Sequence, residues 1–144
     1  MNFKPDRWPA GDPETGYLNT DGSPTKTIIL KYNRQGKNRE IWNINFGKRG
    51  EEELFDIRTD PSCMINLAGN AEYSDVVKKL RDHLENELRD QNDPRIIGAG
   101  DVFDKYTYAD EKVKDFYNRY MRGELSSKSA GWVDSTDFEP LTDK

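Results

Sequence analysis

Two residues whose side chains often carry nucleophilic or acid–base chemistry occur once each in this 144-residue chain, Cys63 and His83. A thiol becomes a nucleophile beside cations or at a helix N-terminus, and the sequence around Cys63 has neither feature. A histidine base needs a partner and a cleft, and the sequence indicates neither for His83. One cysteine and one histidine also cannot build a structural zinc site. We therefore predict a passive loop cysteine, a surface histidine, and no catalytic, cofactor-binding or metal-binding residue.

Pairs of carboxylates could indicate a glycosidase-like acid and base, or a calcium loop. Asp101 and Asp104 form one such pair, and Asp110 and Glu111 form another. Neither pair has the regular ligand spacing of a helix–loop–helix calcium site. Solvated acids and helix caps are the better interpretation of both pairs.

Aromatic side chains are a further candidate for function, because an amphipathic ring can stack on a sugar. The candidates are three tryptophans and two tyrosines: Trp8, Trp42, Trp132, Tyr106 and Tyr108. Packing in a core or between domains is the alternative, and it is favoured for most of them. Arg7 and Trp8 differ, because they lie on a proline- and glycine-rich arm, residues 1–16, that cannot be a core by itself. We predict these two residues as candidates for the rim of a substrate pocket.

The composition restricts the class of function. Hydrophobic residues make up 33% of the chain and charged residues 34%, which suits one modest core with loops or a tail. The net charge of −5 divides into +4 over residues 1–50 and −9 over residues 51–144. No run of Lys or Arg is dense enough to track phosphates, so we expect no nucleic-acid partner. No apolar run is long enough for a membrane span or a signal peptide, so we expect no membrane partner.

The first 57 residues predict β-structure. Residues 25–32 are rich in β-branched side chains, and residues 39–46 and 52–57 show alternation of apolar and polar positions. With a short strand at 17–20, these segments predict an antiparallel meander of about four strands, because the loops between them are short.

Helical spacing of apolar residues begins further along the chain. It predicts a long helix over 71–91, capped by Asn70 and packed across one face of the sheet, so the fold class is α+β. A second helix is predicted near 108–122 and a mobile tail after it. The predicted domains are an extended arm, a sheet-plus-helix domain and a C-terminal extension; these cover residues 1–16, 17–95 and 96–144.

Three short blocks in order resemble the C-terminal end of a sulfatase of the N-sulfoglucosamine sulfohydrolase-like type, in the alkaline-phosphatase-type sulfatase superfamily. They are Glu53-Leu54-Phe55-Asp56-Ile57, Asp60-Pro61 and Asn66-Leu67-Ala68. Residues 6–17 are similar to the segment that joins the catalytic domain to the small domain in such proteins, and residues 93–95 also fit. The resemblance covers residues 5–95 well and residues 96–144 loosely.

This resemblance implies a large phosphatase-like catalytic domain outside the chain. Family members use a formylglycine made from a Cys/Ser-x-Pro-x-Arg motif, beside a Ca²⁺ ion. Cys63 is followed by Met64 and Ile65, and no serine begins the motif, so these catalytic residues transfer to no position here. Formylglycine and Ca²⁺ are implied only for the missing catalytic domain. A periplasmic or secreted location is implied for the parent protein.

The resulting hypothesis is a non-catalytic C-terminal domain of a sulfatase whose full-length form removes sulfate, as an ester or N-sulfate, from a sulfated glycan. Its expected partners are the catalytic domain of the same polypeptide and the glycan. By itself the chain should be inactive as a sulfuric ester hydrolase, and it should expose an apolar patch where the catalytic domain docks. The alternative is a freestanding carbohydrate- or protein-binding module, supported by the aromatic content and the basic first third.

Overall fold

The computed structural model describes residues 1–141, and these contain helices and loops but no β-strand. The α-helices are α1 (Pro24–Arg34), α2 (Arg39–Phe46), α3 (Ser74–Asp90) and α4 (Phe116–Met121). Short 3-10 helices lie at Pro13–Thr15, Ala71–Tyr73, Gly100–Lys105, Ser127–Ser129 and Ser135–Asp137. The predicted α+β class and antiparallel sheet are therefore wrong. None of the helices within residues 1–141 is long and apolar enough to cross a membrane.

Helix α1 replaces the predicted strand at 25–32. The Ser23 side chain accepts a hydrogen bond from the Lys26 backbone N–H at 3.2 Å, and Pro24 occupies the first helical turn. A serine cap followed by proline starts a helix, because proline already has a helical φ and needs no donor there. Lys26 and Leu30, four residues apart, are both buried, so the face that packs has helical rather than strand periodicity.

Helix α2 replaces the predicted strand at 39–46. The alternation of Trp42, Ile44 and Phe46 suggested one face of a strand, but Trp42 and Phe46 are also four residues apart and share a helix face. Phe46 packs at 4.9 Å between ring centroids from Tyr17, in a core cluster that also includes Leu30. This tertiary packing overrides the local β-preference of the segment.

The segment 52–57 is not a strand: residues 52–56 have no regular secondary structure, and Ile57 begins a turn. Its predicted partner, residues 39–46, is helical, and an isolated strand is not stable. A loop forms instead: the Asn66 side chain accepts from the Leu54 N–H at 2.9 Å, and the Leu67 N–H donates to the Leu54 carbonyl at 2.8 Å. The predicted strand at 17–20 is likewise a turn, closed by the Thr20 N–H on the Tyr17 carbonyl.

The long helix predicted over 71–91 is present. A 3-10 turn at Ala71–Tyr73 leads into α3, and the Asn70 side chain accepts from the Glu72 N–H at 3.0 Å. Exposed ion pairs four residues apart support the helix, Lys78 with Asp82 and Glu85 with Arg89. The prediction that the helix packs across a sheet is wrong, because no sheet is present in residues 1–141.

The chain divides into two compact units. Residues 1–5 and 50–107 contain α3 and are called the open unit. Residues 6–49 and 108–141 contain α1, α2 and α4 and are called the closed unit. Every residue in the open unit keeps at least partial exposure, whereas the closed unit has two buried clusters. The predicted domains 1–16, 17–95 and 96–144 stay a prediction.

The second cluster of the closed unit is built largely from the last third of the chain. Phe116, Ala130 and Val133 are buried there, with Trp132 and Phe138 packed against them. The Gly22 N–H donates to the Trp132 carbonyl at 2.8 Å, and the Glu139 N–H donates to the Pro13 carbonyl at 3.1 Å. Residues 130–139 thus pack along the arm and the loop before α1. Helix α4 lies within the segment 108–122 that was predicted to be helical, but it is shorter.

A buried ion pair joins the two ends of the closed unit. The Lys26 Nζ lies 3.1 Å from Asp137 Oδ2, and both side chains are essentially inaccessible to solvent. The same ammonium group donates to the carbonyls of Gly16 and Thr20, each at 2.7 Å. A buried charge is tolerated when it is paired and hydrogen-bonded in this way. The pair therefore fastens the C-terminal segment to the loop between the arm and α1.

Candidate functional site

The two residues with classical catalytic side chains, Cys63 and His83, both lie at the surface. Cys63 is exposed in a turn, with a φ of 52°. His83 is exposed on α3. No group of three or more His, Cys, Asp or Glu side chains in residues 1–141 is placed to hold a metal ion.

The paired acids are exposed and serve local contacts. Asp101 accepts a hydrogen bond from Lys4 Nζ at 2.8 Å, and Asp104 is exposed nearby in sequence. Asp110 accepts from the Lys112 N–H at 2.9 Å, and Glu111 lies 3.4 Å from Lys114 Nζ. These contacts are those of surface acids and turn caps.

The two predicted rim residues, Arg7 and Trp8, lie in the closed unit. Arg7 is exposed, and Trp8 is partly buried against Trp42 in an edge-to-face contact with centroids 6.3 Å apart. The Lys48 ammonium lies 4.9 Å from the centre of the Trp8 ring, which is cation–π distance. Sequence reasoning missed Lys48, since the two residues are 40 positions apart and no local pattern connects them. The arrangement places positive charge beside an aromatic ring at the surface.

Trp42 belongs to a structural network. Its Nε1 donates to the Tyr17 hydroxyl at 3.1 Å, and that hydroxyl lies 3.4 Å from Glu139 Oε1. Arg34 Nε donates to the other Glu139 carboxylate oxygen at 2.8 Å. Burial raises the pKa of Tyr17 above its usual range, so the phenol stays protonated as a donor. Trp42 is therefore committed to packing, as the sequence interpretation favoured.

Trp132 and Tyr108 have a different environment, because they line a surface cleft of about 230 Å³ in the closed unit. We call it the Tyr117 cleft, and six of its lining residues are Asp12, Asn19, Tyr108, Asp115, Tyr117 and Trp132. The Trp132 Nε1 donates to the Leu18 carbonyl at 2.8 Å, which fixes the indole. With Phe116, which also lines the cleft, four aromatic side chains, two carboxylates and one amide meet in a single concave surface.

The electrostatics of the Tyr117 cleft are negative. Burial, and then the neighbouring Glu14 carboxylate, raise the pKa of Asp12. Burial, followed by the charges of Glu14 and Asp12, also raises the pKa of Tyr117. Both shifts have the same two causes. Burial removes each group from water, and nearby carboxylates repel the negative charge that the group would carry. Sequence analysis identified Trp132 and Tyr108 as possible sugar-stacking residues, but not the carboxylates beside them.

A second feature is the apolar surface of α3 in the open unit. Val76, Leu80 and Leu84 are 45%, 50% and 39% exposed and form what we call the α3 face. A cavity of about 130 Å³ lies beside it, lined among others by Leu54, Leu80 and Leu84. Exposure of three large apolar side chains in register on one helix is typical of a surface that binds something.

An ion pair borders the α3 face. The Arg81 guanidinium donates two hydrogen bonds to the Glu52 carboxylate, a bidentate arrangement. These hydrogen bonds lower the pKa of Glu52 and raise that of Arg81. The pair connects the loop containing residues 52–57 to α3.

One curated relative was identified by sequence comparison, a protein named Ulvan-active sulfatase from Formosa agariphila. It is 32% identical to the chain over 98 residues, which is 65% of this chain and 16% of the relative. The chain thus spans a small part of the length of the sulfatase that it matches. No protein-family model matches the chain, and no solved structure matches it. The chain is therefore a sulfatase-related domain.

Proposed function

We propose that this chain is the non-catalytic C-terminal domain of a sulfatase of the N-sulfoglucosamine sulfohydrolase-like group, whose full-length form removes sulfate from a sulfated glycan. The observation that carries the proposal is the match to 16% of a sulfatase by a chain that contains no Cys/Ser-x-Pro-x-Arg motif. The remainder of the relative is long enough to hold a separate catalytic domain. Formylglycine and Ca²⁺ belong to that domain, and the parent protein is periplasmic or secreted.

The α3 face supports a docking role. Within the described residues its apolar side chains are only about half covered, and burying a fully exposed leucine stabilises a protein by about 1.5–3 kcal/mol, so completing the cover is worth roughly half of that for each side chain. The rest of the same polypeptide is the occupant that the short alignment suggests, because most of the related sulfatase lies outside the matched segment. We propose that the catalytic domain covers the α3 face.

The surface at Trp8 supports a supplementary role at the substrate pocket. Lys48 places positive charge over the partly exposed Trp8 indole, and Arg7 is the exposed cation next to Trp8 in the sequence. A sulfated sugar offers both a negative group and a ring, which cations and aromatic faces bind. We propose that Arg7, Trp8 and Lys48 lie at the rim of the pocket in the full-length enzyme.

The decisive experiment begins with the coding sequence upstream of Met1. An in-frame Cys/Ser-x-Pro-x-Arg motif is expected, and the full-length protein should release sulfate from a sulfated oligosaccharide. The 144-residue chain alone should release none, with or without Ca²⁺. Turnover by the purified chain would contradict the proposal, as would a short gene with no upstream motif, which would favour the freestanding binding module.

Docking is tested in the full-length protein. Leu80→Glu places a charge in the α3 face and should make the C-terminal domain susceptible to proteolysis. Lys79→Glu, the adjacent exposed position on α3, is the matched control and should leave the protease pattern unchanged. Equal behaviour of the two variants would show that the α3 face is not covered by the catalytic domain.

A further inference from the structure

We propose that the Tyr117 cleft is a binding site for one uncharged sugar ring. The proposal concerns the chain's own surface and does not depend on the function proposed above. It starts from the size of the cleft, about 230 Å³. This is below the usual volume of pockets for drug-sized ligands, so the cleft suits a single pyranose rather than a longer oligosaccharide.

The aromatic residues supply the surface for the ring. Trp132 is fixed by its hydrogen bond to the Leu18 carbonyl and by an edge-to-face contact with Phe116, at 6.5 Å between centroids. Tyr117 is partly buried on α4, and Tyr108 is about half exposed at the edge. Rigid aromatic walls bind the C–H faces of a sugar with little loss of side-chain entropy.

The polar residues supply partners for hydroxyl groups. Within residues 1–141, the Tyr117 hydroxyl and the Asn19 side-chain amide make no hydrogen bond. The Asp12 side chain is partly buried and adds acceptor oxygens. Sugar hydroxyls both donate and accept, so one amide, one phenol and one carboxylate can each be satisfied by a bound ring. A plain apolar ligand would leave all three without partners, which costs free energy when water is displaced.

The charge of the cleft determines which sugars enter. Asp12 and Asp115 line it, and Glu14 is close enough to raise the pKa of both Asp12 and Tyr117. A sulfate or carboxylate group on the ligand would add a negative charge to this cluster, and like charges at close range repel. Lys48 opposes this effect at Asp12 but contributes least among the influences on that carboxyl group. The site should therefore bind an unsulfated sugar, in contrast to the cationic surface at Trp8.

The test uses the 144-residue chain labelled with 5-fluorotryptophan, whose three tryptophans give three ¹⁹F signals assigned with Trp132→Phe. The probes are methyl glycosides of neutral hexoses, pentoses and deoxyhexoses, and one sulfated methyl hexoside. At least one neutral glycoside should shift the Trp132 signal saturably and leave the Trp8 and Trp42 signals in place. The sulfated glycoside should bind about tenfold or more weakly, a difference of about 1.4 kcal/mol.

Single substitutions distinguish a loss of glycoside binding from a loss of folding. Tyr117→Ala should weaken binding of the neutral glycoside at least about tenfold, while Tyr32→Ala, a tyrosine of the same unit outside the cleft, should not change it. Asp12→Asn should reduce the discrimination against the sulfated glycoside. Unchanged Trp8 and Trp42 signals in each variant show that the unit is folded. The proposal is overturned if no neutral glycoside shifts Trp132, if the sulfated glycoside binds as well, or if Tyr117→Ala binds like the original chain.

Discussion

The two units of this chain stabilise themselves in different ways. In the closed unit, residues such as Tyr17, Leu30 and Phe116 are almost completely removed from solvent. In the open unit, whose residues 1–5 and 50–107 are all described, no residue reaches that degree of burial. Its organisation comes from a capped helix, local ion pairs and side-chain hydrogen bonds in loops. Such contacts are individually weak in water, whereas burial of apolar area is the main source of folding free energy.

The contrast in burial indicates which part of the chain would gain more from a covering partner. The closed unit buries two apolar clusters, built from residues near both ends of the chain, and fewer of its large apolar side chains stay exposed than in the open unit. The open unit keeps the α3 face exposed and therefore gains most from a covering domain. The contrast agrees with the proposal that the chain is part of a longer sulfatase.

The largest effect is expected for the buried ion pair of the closed unit. Lys26→Met leaves Asp137 buried without its cation and should lower the free energy of unfolding by about 3–5 kcal/mol. Urea denaturation followed by tryptophan fluorescence measures this, since all three tryptophans lie in the closed unit. Lys31→Met, an exposed position on α1, is the matched control and should change it little. Equal loss in the two variants would contradict a buried pair.

The same substitution in each unit tests the comparison directly. Leu30 is fully buried, so Leu30→Ala should cost about 2–5 kcal/mol, measured by tryptophan fluorescence in urea. Leu80 is half exposed, so Leu80→Ala should cost less than about 1 kcal/mol, measured by hydrogen exchange of the α3 amides. Costs of similar size would mean that the α3 face is covered in the isolated chain.

How much the sequence predicts differs from one element to the next. The helix at 71–91 is identified correctly, because Asn70 and the spacing of Val76, Leu80 and Leu84 are local signals that need no tertiary contact. The strands at 25–32 and 39–46 are wrong because those segments are ambiguous locally. Their β-branched and alternating residues suit a strand, and packing of Leu30 and Phe46 around Tyr17 favours the helix, together with the Ser23 cap at the start of α1.

Prediction of the candidate site from the sequence is limited in the same way, because contacts between distant positions follow no local pattern. Trp132 and Tyr108 were recognisable as candidate sugar-stacking residues by type alone. The association of Asp12 with Tyr117 and Trp132 joins positions more than 100 residues apart, and no spacing rule connects them. The approach of Lys48 to Trp8 is equally non-local. The side chains that give each surface its charge could therefore not be assigned before the fold was known.

A smaller effect concerns the pH dependence of the open unit. Hydrogen bonds from Arg81 lower the pKa of Glu52 in the folded chain, so the ionised carboxylate favours the folded state. This contribution is complete above the ordinary glutamate pKa of 4.5 and is lost as the pH falls through the lower folded value. Protection of the α3 amides from hydrogen exchange should decrease in that range. Glu52→Gln should remove this part of the dependence, and Glu87→Gln, an exposed position on α3, should leave it unchanged.

The smallest effect tests whether local hydrogen bonds alone set the geometry of the open unit. Asp93 accepts from the Arg95 side chain and backbone N–H, with Arg95 Nε at 2.8 Å and the N–H at 2.9 Å, and these contacts lower the pKa of Asp93 from 3.8 to about 2. A carbon-13 NMR titration of the carboxyl group should show this value. Arg95→Ala should return the pKa of Asp93 most of the way towards 3.8, since only the backbone donor remains. Arg89→Ala, which removes the partner of Glu85, is the control and should not move it. A pKa near 3.8 in the unmodified chain would show that the turn after α3 is not held by Arg95, and the open unit would then depend still more on an external partner.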